Sequence, residues 1–414
     1  RERKYKIACR LKKSKKKTEI FSYLNQKYNF NEYSLHSYVK NIRNDSKFLV
    51  KLVPAIIAQK IATRAFNTAK KLAYTKQTKK VHFKNKHTFI SLEGKDNEAS
   101  LTYSNGYVLF NKHTFKCKFK TKDKWMNHAL THRVKYVRII CRRIKGKDVF
   151  YAQLILEGFP LVKHKIGTGE GAFDVGPSTI AVVTDHRAEL REFCYDIVFL
   201  DKEKRKLQRL QDRRKRVSNP LNYNMNGTVK SGPKKWNYSN RYKHTRDVLK
   251  EKERLLAVQR TQHHHKEANK ILRENNIIKT EKLSYKAFQK LFGKSINKKS
   301  PATFIEVVKT KITGQGGSFI EINTFKTKLS QTCQCGVVSK KKLSQRWHKC
   351  LCGIEAQRDL YSAFLAKCVD NNMIDFIKAK NDWPATKRKF ESCIEELKQL
   401  KKERKLKLPS SIGL

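Results

Sequence analysis

Apolar and basic residues alternate over residues 4–11, the two-residue period of an edge strand on a basic surface, so the chain is expected to open with a strand. Over 12–80 the period lengthens to that of a helix. Ile56, Ile57, Ile61, Phe66 and Leu72 repeat on one face while Lys and Arg take the other, which predicts a small basic helical piece. Between 81 and 162 short alternating runs return at 87–92, 106–110, 114–119, 136–141 and 149–156, split by Gly, Asn and Asp. They predict a small β-barrel with the helical piece inserted near its start.

Past a linker at 163–171, the run FDVGPSTIAVVT predicts two apolar strands around a Gly-Pro turn, with a third strand at 192–200. A long basic helical stretch follows at 201–274, broken by a Gly/Asn/Pro-rich loop at 218–240. Strands are then expected at 276–283 and 317–325 with helix between them, and a helix closes the set. Three strands, helix, strand, helix, strand, helix is the order of an RNase H-like α/β domain, so the whole chain is expected to be α+β and multidomain.

Composition adds a partner. Of 414 residues, 93 are Lys or Arg and 36 Asp or Glu, a formal charge of +57, while a hydrophobic content of 39% supports real cores. Charge of this size points to a polyanion, bound through phosphate neutralisation and counterion release. A ribosomal or packaging protein would share it, but here the basic runs, at 12–17, 205–216 and 401–407, are spread as if to line a long channel. No apolar run is long enough for a signal core or a membrane span, since 48–62 is broken by Lys51 and Lys60, so an intracellular protein with no membrane partner is expected. The chain opens at Arg1 rather than Met, and residues are expected to precede it. The 10 cysteines then read as thiols and metal ligands rather than a disulfide framework.

Three acids attract attention because phosphodiester hydrolysis by two Mg²⁺ needs converging carboxylates that clamp the attacking and leaving oxygens. Asp174 ends an apolar strand, Glu281 ends the strand reading NIIKTEKL, and Asp359 opens the amphipathic helix DLYSAFLA. Each has an ordinary reading too. Asp174 can be a turn residue, Glu281 an exposed acid beside Lys279 and Lys282, and Asp359 a partner of the helix dipole.

Cys333/Cys335 and Cys350/Cys352 are paired thiols separated by a short hairpin, as tetrahedral Zn²⁺ requires, although each pair has one intervening residue rather than the usual two. His348 is a substitute ligand to consider. A closed four-ligand site would be structural, with no open position for catalysis. Rings interleaved with charge at 234–244 and 345–349 nominate Lys235, Trp236, Tyr238, Arg241, Arg346 and Trp347 for nucleic-acid contact. Lys60, Arg64, Lys70 and Lys71 on the helical piece are nominated for backbone contact. The triplet His263, His264 and His265 is expected at the surface, because consecutive helical residues point apart.

Taken together, FDVGPSTIAVV around Asp174, KTEKLS around Glu281, and KLSQTCQCG, RWHKCLCG and QRDLYSAFLA between 328 and 366 resemble the TnpB family, transposon-encoded relatives of the type V CRISPR effector nucleases. The motif resemblance spans about 171–367. It implies a RuvC-like nuclease domain at 166–327 and 354–385 with a basic helical insertion at 201–274, a zinc ribbon at 328–353, and a basic tail at 386–414. It also implies a β-barrel wedge domain at 1–11 and 81–165 with a helical recognition domain at 12–80. Asp174, Glu281 and Asp359 match the RuvC carboxylates that bind two Mg²⁺, and Cys333, Cys335, Cys350 and Cys352 the Zn²⁺ ligands. The implied activity is RNA-guided cleavage of double-stranded DNA beside a short target-adjacent motif. A structured guide RNA and target DNA are the implied partners, with the protein a cytoplasmic, nucleoid-associated monomer. A nuclease-inactive RNA-guided repressor and a small type V CRISPR effector share these motifs and stand as alternatives.

Overall fold

The computed structural model describes residues 2–11, 14–75, 80–85, 88–120, 122–403 and 408–414. Residue 87 of the expected strand at 87–92, and residues 12–13 and 404–407 of the basic runs, lie outside the described residues. The chain divides into two compact units, Arg1–Leu161 and Val162–Leu414.

In the first unit, residues 4–11 are not a strand; residues 4–10 belong to helix α1 (Glu2–Arg10). Tyr5 and Ala8, three apart, are buried while Ile7 is 53% exposed, which fits a helical stripe; eight residues are too few for alternation to tell the two periods apart. The stripe packs on α2 (Lys15–Lys27) and α5 (Ala55–Tyr74), where the Tyr5 and Tyr74 hydroxyls both donate to Asn25 Oδ1, at 2.9 and 2.6 Å. Thus α1 joins the helices rather than the sheets. The helices α3 (Glu32–Asn44) and α4 (Lys47–Leu52) are capped by the Asn31 and Ser46 side chains. On α5 the buried face is Ile57, Ala58 and Ala62, narrower than the expected stripe, and Ile61 is exposed.

The strands of this unit are β1 (Ser91–Glu93), β2 (Leu101–Ser104), β3 (Tyr107–Phe110), β4 (His113–Lys116), β5 (Val134–Ile144) and β6 (Lys147–Leu156), with α6 (Lys124–Leu130) before β5. They form two antiparallel sheets, β1-β5-β6 and β2-β3-β4, rather than a closed barrel among the described residues. Among the described residues no ladder joins the two, and every residue of β4 is exposed, as on a free edge. Ile57 of α5 completes their core with Leu101, Val108 and Val137.

The second unit is built on a five-stranded sheet: β7 (Gly169–Val175), β8 (Thr179–Thr184), β9 (Ala188–Glu192), β10 (Asn275–Glu281) and β11 (Ser318–Ile322), in spatial order β11-β10-β7-β8-β9. The first three are antiparallel neighbours; β10 and β11 run parallel to β7. The third strand therefore lies earlier than the expected 192–200. The connections are α7 (Asp201–Val217) and α8 (Asn240–Leu272) between β9 and β10, then α9 (Tyr285–Lys299) and α10 (Pro301–Thr313) before β11. After the single turn α11 (Thr324–Thr327) come the hairpin β12 (Trp347–Lys349) and β13 (Glu355–Gln357), α12 (Arg358–Lys367), the hairpin β14 (Val369–Asp370) and β15 (Met373–Ile374), and α13 (Phe376–Lys402).

Side chains alternate across this sheet, and each face has its own core. Phe173, Val175, Ile180 and Ile278 pack on α8 and α10; Ala172, Ala181, Val183 and Ile322 pack on α12 and α13. The expected tail at 386–414 is part of this second core. Trp383, Phe390, Cys393, Ile394 and Leu397 make an apolar stripe along α13, and Ile412 is fully buried. Nor is the histidine triplet all at the surface, because α8 lies on the sheet. His263 and His264, with Ala268, Ile271 and Leu272 on the same face, are buried, and only His265 is exposed. Among the described residues no helix is long and apolar enough to cross a membrane.

Candidate active site and metal centre

Strand alternation decides where the acids point. Ala172 faces α12, so Asp174, two residues on, faces the same way; Lys279 reaches the carbonyls of Lys367 and Val369 at 3.0 and 2.6 Å, so Glu281 shares that face. The helix α12 begins over the ends of these strands, with Asp359 in its first turn. Its cap is Gln357, whose Oε1 accepts the Leu360 N–H at 2.9 Å, so Asp359 is not spent on the helix terminus. Burial, then the charges of Asp359 and Glu281, hold the Asp174 carboxyl well above its ordinary range, against a smaller lowering by Arg358. Burial pushes Glu281 up to about 7. The structure therefore brings the three acids to one end and one face of the sheet.

Among the described residues, neither Asp174 nor Glu281 has a hydrogen-bond or ion-pair partner, whereas Asp359 accepts from Arg358 Nε and Nη2, both at 3.3 Å. Half-buried carboxylates without protein donors are costly unless protonated or bound to a cation, and these two together with Asp359 make an oxygen donor set suited to a hard divalent ion. One contributor was missed in the sequence. Tyr285 donates to the Val175 carbonyl at 3.1 Å, and burial, then the Asp174 and Glu281 charges, raise its phenol. It follows Glu281 by only four residues, but its bond to Val175 spans 110 residues of sequence, a relation that no local pattern announces.

Residues 328–357 form two matching knuckles. In each, a Cys-x-Cys-Gly turn closes with the Gly N–H donating to the first Cys carbonyl, Gly336 to Cys333 at 2.9 Å and Gly353 to Cys350 at 3.0 Å. Both glycines have positive φ, +89° and +86°, which a side chain would strain. Cys333 and Cys350 then donate across the turn to Val337 and Ile354, at 2.9 and 3.0 Å. The short spacing thus forms a regular turn twice. All four sulfurs lie within 4.8 Å of one another, with Cys333–Cys352 and Cys335–Cys350 at 3.5 Å. Tetrahedral zinc with Zn–S near 2.3 Å asks for S–S separations of roughly 3.8 Å, so the donor set fits that ion. Among the described residues, these sulfurs are the one set of three or more such ligand atoms so close together; the carboxylates act on each other through their charges over a wider spacing. The Cys350 thiol is drawn down to about 7, first by a backbone N–H at Cys352, while burial pushes Cys333 up to about 12. His348 stays outside the cluster, stacked on Tyr361 at 4.4 Å.

The nominated contact residues divide by what already holds them. Lys60 pairs with Glu93 at 3.1 Å and Arg64 donates to Ser91 O and Oγ at 2.9 and 3.0 Å, both within the first unit, while Lys70 and Lys71 are exposed. Trp236 lies under Lys215 at 3.8 Å, Tyr238 stacks on Tyr242 at 4.6 Å, and Lys235 and Arg241 are exposed. Half-buried Arg346 lies against Gly413, whose carbonyl accepts the Trp347 indole N–H at 3.1 Å. A more open basic feature is a groove of about 520 Å³ along α7, lined by Lys202, Arg205, Lys206, Arg209 and Arg213 around Leu210.

Residues 302–365, which run from α10 through the cysteine knuckles into α12, match the family model Cas12f1-like, TNB domain. The resemblance read from the motifs of this region is borne out there. No curated protein matches the chain. Among solved structures, the protein chain of a Cas12f1–sgRNA–target DNA complex is 14% identical with a TM-score of 0.49, over 87% of this chain and 79% of that one. A chain of a CRISPR-Cas12f ternary complex is 12% identical with a TM-score of 0.27, over 88% and 79%.

Proposed function

For a chain whose residues 302–365 carry the Cas12f1-like TNB segment, and which is on that ground a relative of the TnpB-like and type V RNA-guided nucleases, we propose the activity of an RNA-guided DNA endonuclease encoded by a transposable element. It binds a structured guide RNA and cleaves complementary double-stranded DNA beside a short target-adjacent motif. The observation that carries this reading is the convergence of Asp174, Glu281 and Asp359 at one end of a sheet ordered β11-β10-β7-β8-β9. That order and that acid set suit an RNase H-like, RuvC-type nuclease domain.

Asp174, Glu281 and Asp359 would hold two Mg²⁺, which when bound supply activation of water and stabilisation of the leaving 3′-oxygen. The residues of the chain prepare that site. Alternation puts two carboxylates on one face, Gln357 leaves the third free of the helix terminus, and Tyr285 ties the start of α9 to the end of β7. Cys333, Cys335, Cys350 and Cys352 would hold a structural Zn²⁺. Sequence choice falls to base pairing with the guide, so the protein needs mainly cations that follow phosphates, and the α7 groove, Lys70, Lys71, Lys235 and Arg241 supply them. In the first unit the helices α1–α5 serve as the recognition piece and the two sheets as the wedge.

The test is to express the chain with its flanking DNA, sequence the RNA that co-purifies, and assay Mg²⁺-dependent cutting of a matched plasmid. A defined RNA with guided cuts that vanish in Asp174→Ala supports the reading. Tight guided binding without cutting by the wild type would make the protein a repressor instead, and absence of any defined RNA would remove the guided reading altogether.

A further inference from the structure

We propose that Arg358 is a positioning residue that links the cysteine knuckles to the carboxylate of Asp359, so that a metal on the four sulfurs sets the affinity of the acidic site for its divalent cation. The inference rests on the nuclease reading above and adds a dependence between its two metal sites.

One guanidinium makes the link. Its Nε and Nη2 donate to Asp359 Oδ1, both at 3.3 Å, while Nη1 donates to the Gln345 carbonyl at 2.9 Å. The Arg358 backbone N–H also donates to the Arg346 carbonyl at 2.8 Å. Gln345 and Arg346 sit between the two cysteine pairs, at the entry to β12, and its partner β13 runs straight into α12. Among the described residues no other group donates to Asp359, so its carboxylate is oriented by Arg358 alone. A guanidinium is planar and its donors keep a fixed fork, so an arginine gripped at both edges cannot release one without disturbing the other. The side chains of Arg358 and Asp359 are 12% and 14% exposed, which leaves little room for water to replace the contact between them, while the Gln345 carbonyl lies at the exposed end of the link.

Small cysteine sites of this kind draw their order from the metal. Without it the turns at Cys333 and Cys350 lose their shared centre, the segment around Gln345 loses its place, and Arg358 loses the carbonyl that aims it. Groups that hydrogen-bond a metal ligand typically change metal affinity by about 10–100-fold when removed.

The experiment titrates Mn²⁺ alone into the zinc-loaded full chain and reads bound ion by electron paramagnetic resonance, with zinc content measured in parallel. Binding lost in Asp174→Ala defines the acidic site; if no such binding exists, the acidic site and this inference fall together. Arg358→Ala is expected to weaken that site about tenfold with one zinc per chain retained. Cys352→Ser, which removes the zinc, is expected to weaken it by a similar factor, and the double variant no further, because both changes break one chain of contacts. Arg358→Lys keeps a charge beside Asp359 but cannot grip both sides, so its Mn²⁺ affinity should no longer respond to Cys352→Ser. It also serves as the folded control should Arg358→Ala lower the melting temperature. An acidic site at full affinity in Arg358→Ala, or losses that multiply in the double variant, would overturn the link while leaving the nuclease reading intact.

Discussion

The hydroxyl of Thr280 donates to the carbonyl of Phe173 at 3.0 Å, and the residues that follow these two are Glu281 and Asp174. The bond crosses from β10 to β7 beside the ladder between them, one residue before each acid. It adds a side-chain tie to the ladder at the point where the two carboxylates leave the strands.

Thr280→Val keeps the shape of this buried side chain and removes the bond. A lost intramolecular hydrogen bond costs about 0.5–1.5 kcal/mol, a modest loss for the unit. Cleavage should suffer more, by about tenfold, because metal-dependent chemistry is sensitive to small displacements of its ligands. Single-turnover cleavage at saturating Mg²⁺, set beside a thermal melt, separates the two effects. Equal and small losses in both would mean that the Thr280 bond does not place the acids.

Asp174→Asn should abolish cutting and yet raise the melting temperature of the metal-free protein. Asp174 is held under the charges of Asp359 and Glu281, and the amide relieves that repulsion at the same shape. The sign of the pH dependence follows from Glu281, whose carboxyl is raised from 4.5 to about 7. A raised folded-state value means stability that is fully present below about 4.5 and lost as pH rises through about 7. The gain from Asp174→Asn should therefore be larger at pH 8 than at pH 5, about 2–4 °C for each kcal/mol of relief. Melts in Mg²⁺-free buffer without chelator, which would strip zinc, provide the check; a lower melting temperature at pH 8 contradicts the picture.

Much of the second unit was legible because its signals are local. Phe173 to Thr184 is a pair of apolar strands around a Gly-Pro turn, and Cys333 to Cys352 advertise themselves by spacing. The acids could be nominated from strand ends and a helix start, since those positions are fixed by short patterns. The errors came where tertiary packing chooses between periods. α1 reads as alternating until Tyr5 and Ala8 are seen against Leu24, and the α13 stripe is obscured by its many lysines until Trp383 and Phe390 meet Phe364. Tyr285, Gln357 and Arg358 act through partners far away in sequence or through cap geometry, which only the folded chain brings together.

Five cations line one groove of α7 with helical spacing, Lys202, Arg205, Lys206, Arg209 and Arg213. A groove that follows phosphates without reading bases should show itself in salt dependence. Replacing Arg209 by Ala is expected to weaken RNA binding alike for cognate and scrambled sequences and to reduce the slope of log K against log salt by roughly 0.7–0.9. Filter binding across a salt series measures the slope directly. An unchanged slope, or a loss confined to the cognate RNA, would take the groove out of phosphate contact.

His264 gives the second unit an acid sensitivity of the opposite sign to that of Glu281. The ring is fully buried, stacked on Phe193 at 5.4 Å, and bonds through Nε2 to the Lys299 carbonyl at 2.9 Å, while Nδ1 is buried without a partner among the described residues. Protonation would place a charge where only one of two N–H groups is accepted. Burial accordingly lowers the ring from 6.5 to about 4, with nearby His263, Arg260 and His265 adding to the lowering and the Lys299 carbonyl opposing it. For a lowered histidine, stability is fully present above the unfolded value and is lost as pH falls from about 6.5 toward 4, by about 3 kcal/mol at most. His264→Phe preserves the stack and gives up the hydrogen bond, so it should be about 1 kcal/mol less stable at pH 8 but lose less on acidification to pH 5. The difference between wild type and variant isolates this ring from Glu281, which both share. Parallel acid limbs in urea melts of the two proteins would show that His264 does not carry the sensitivity.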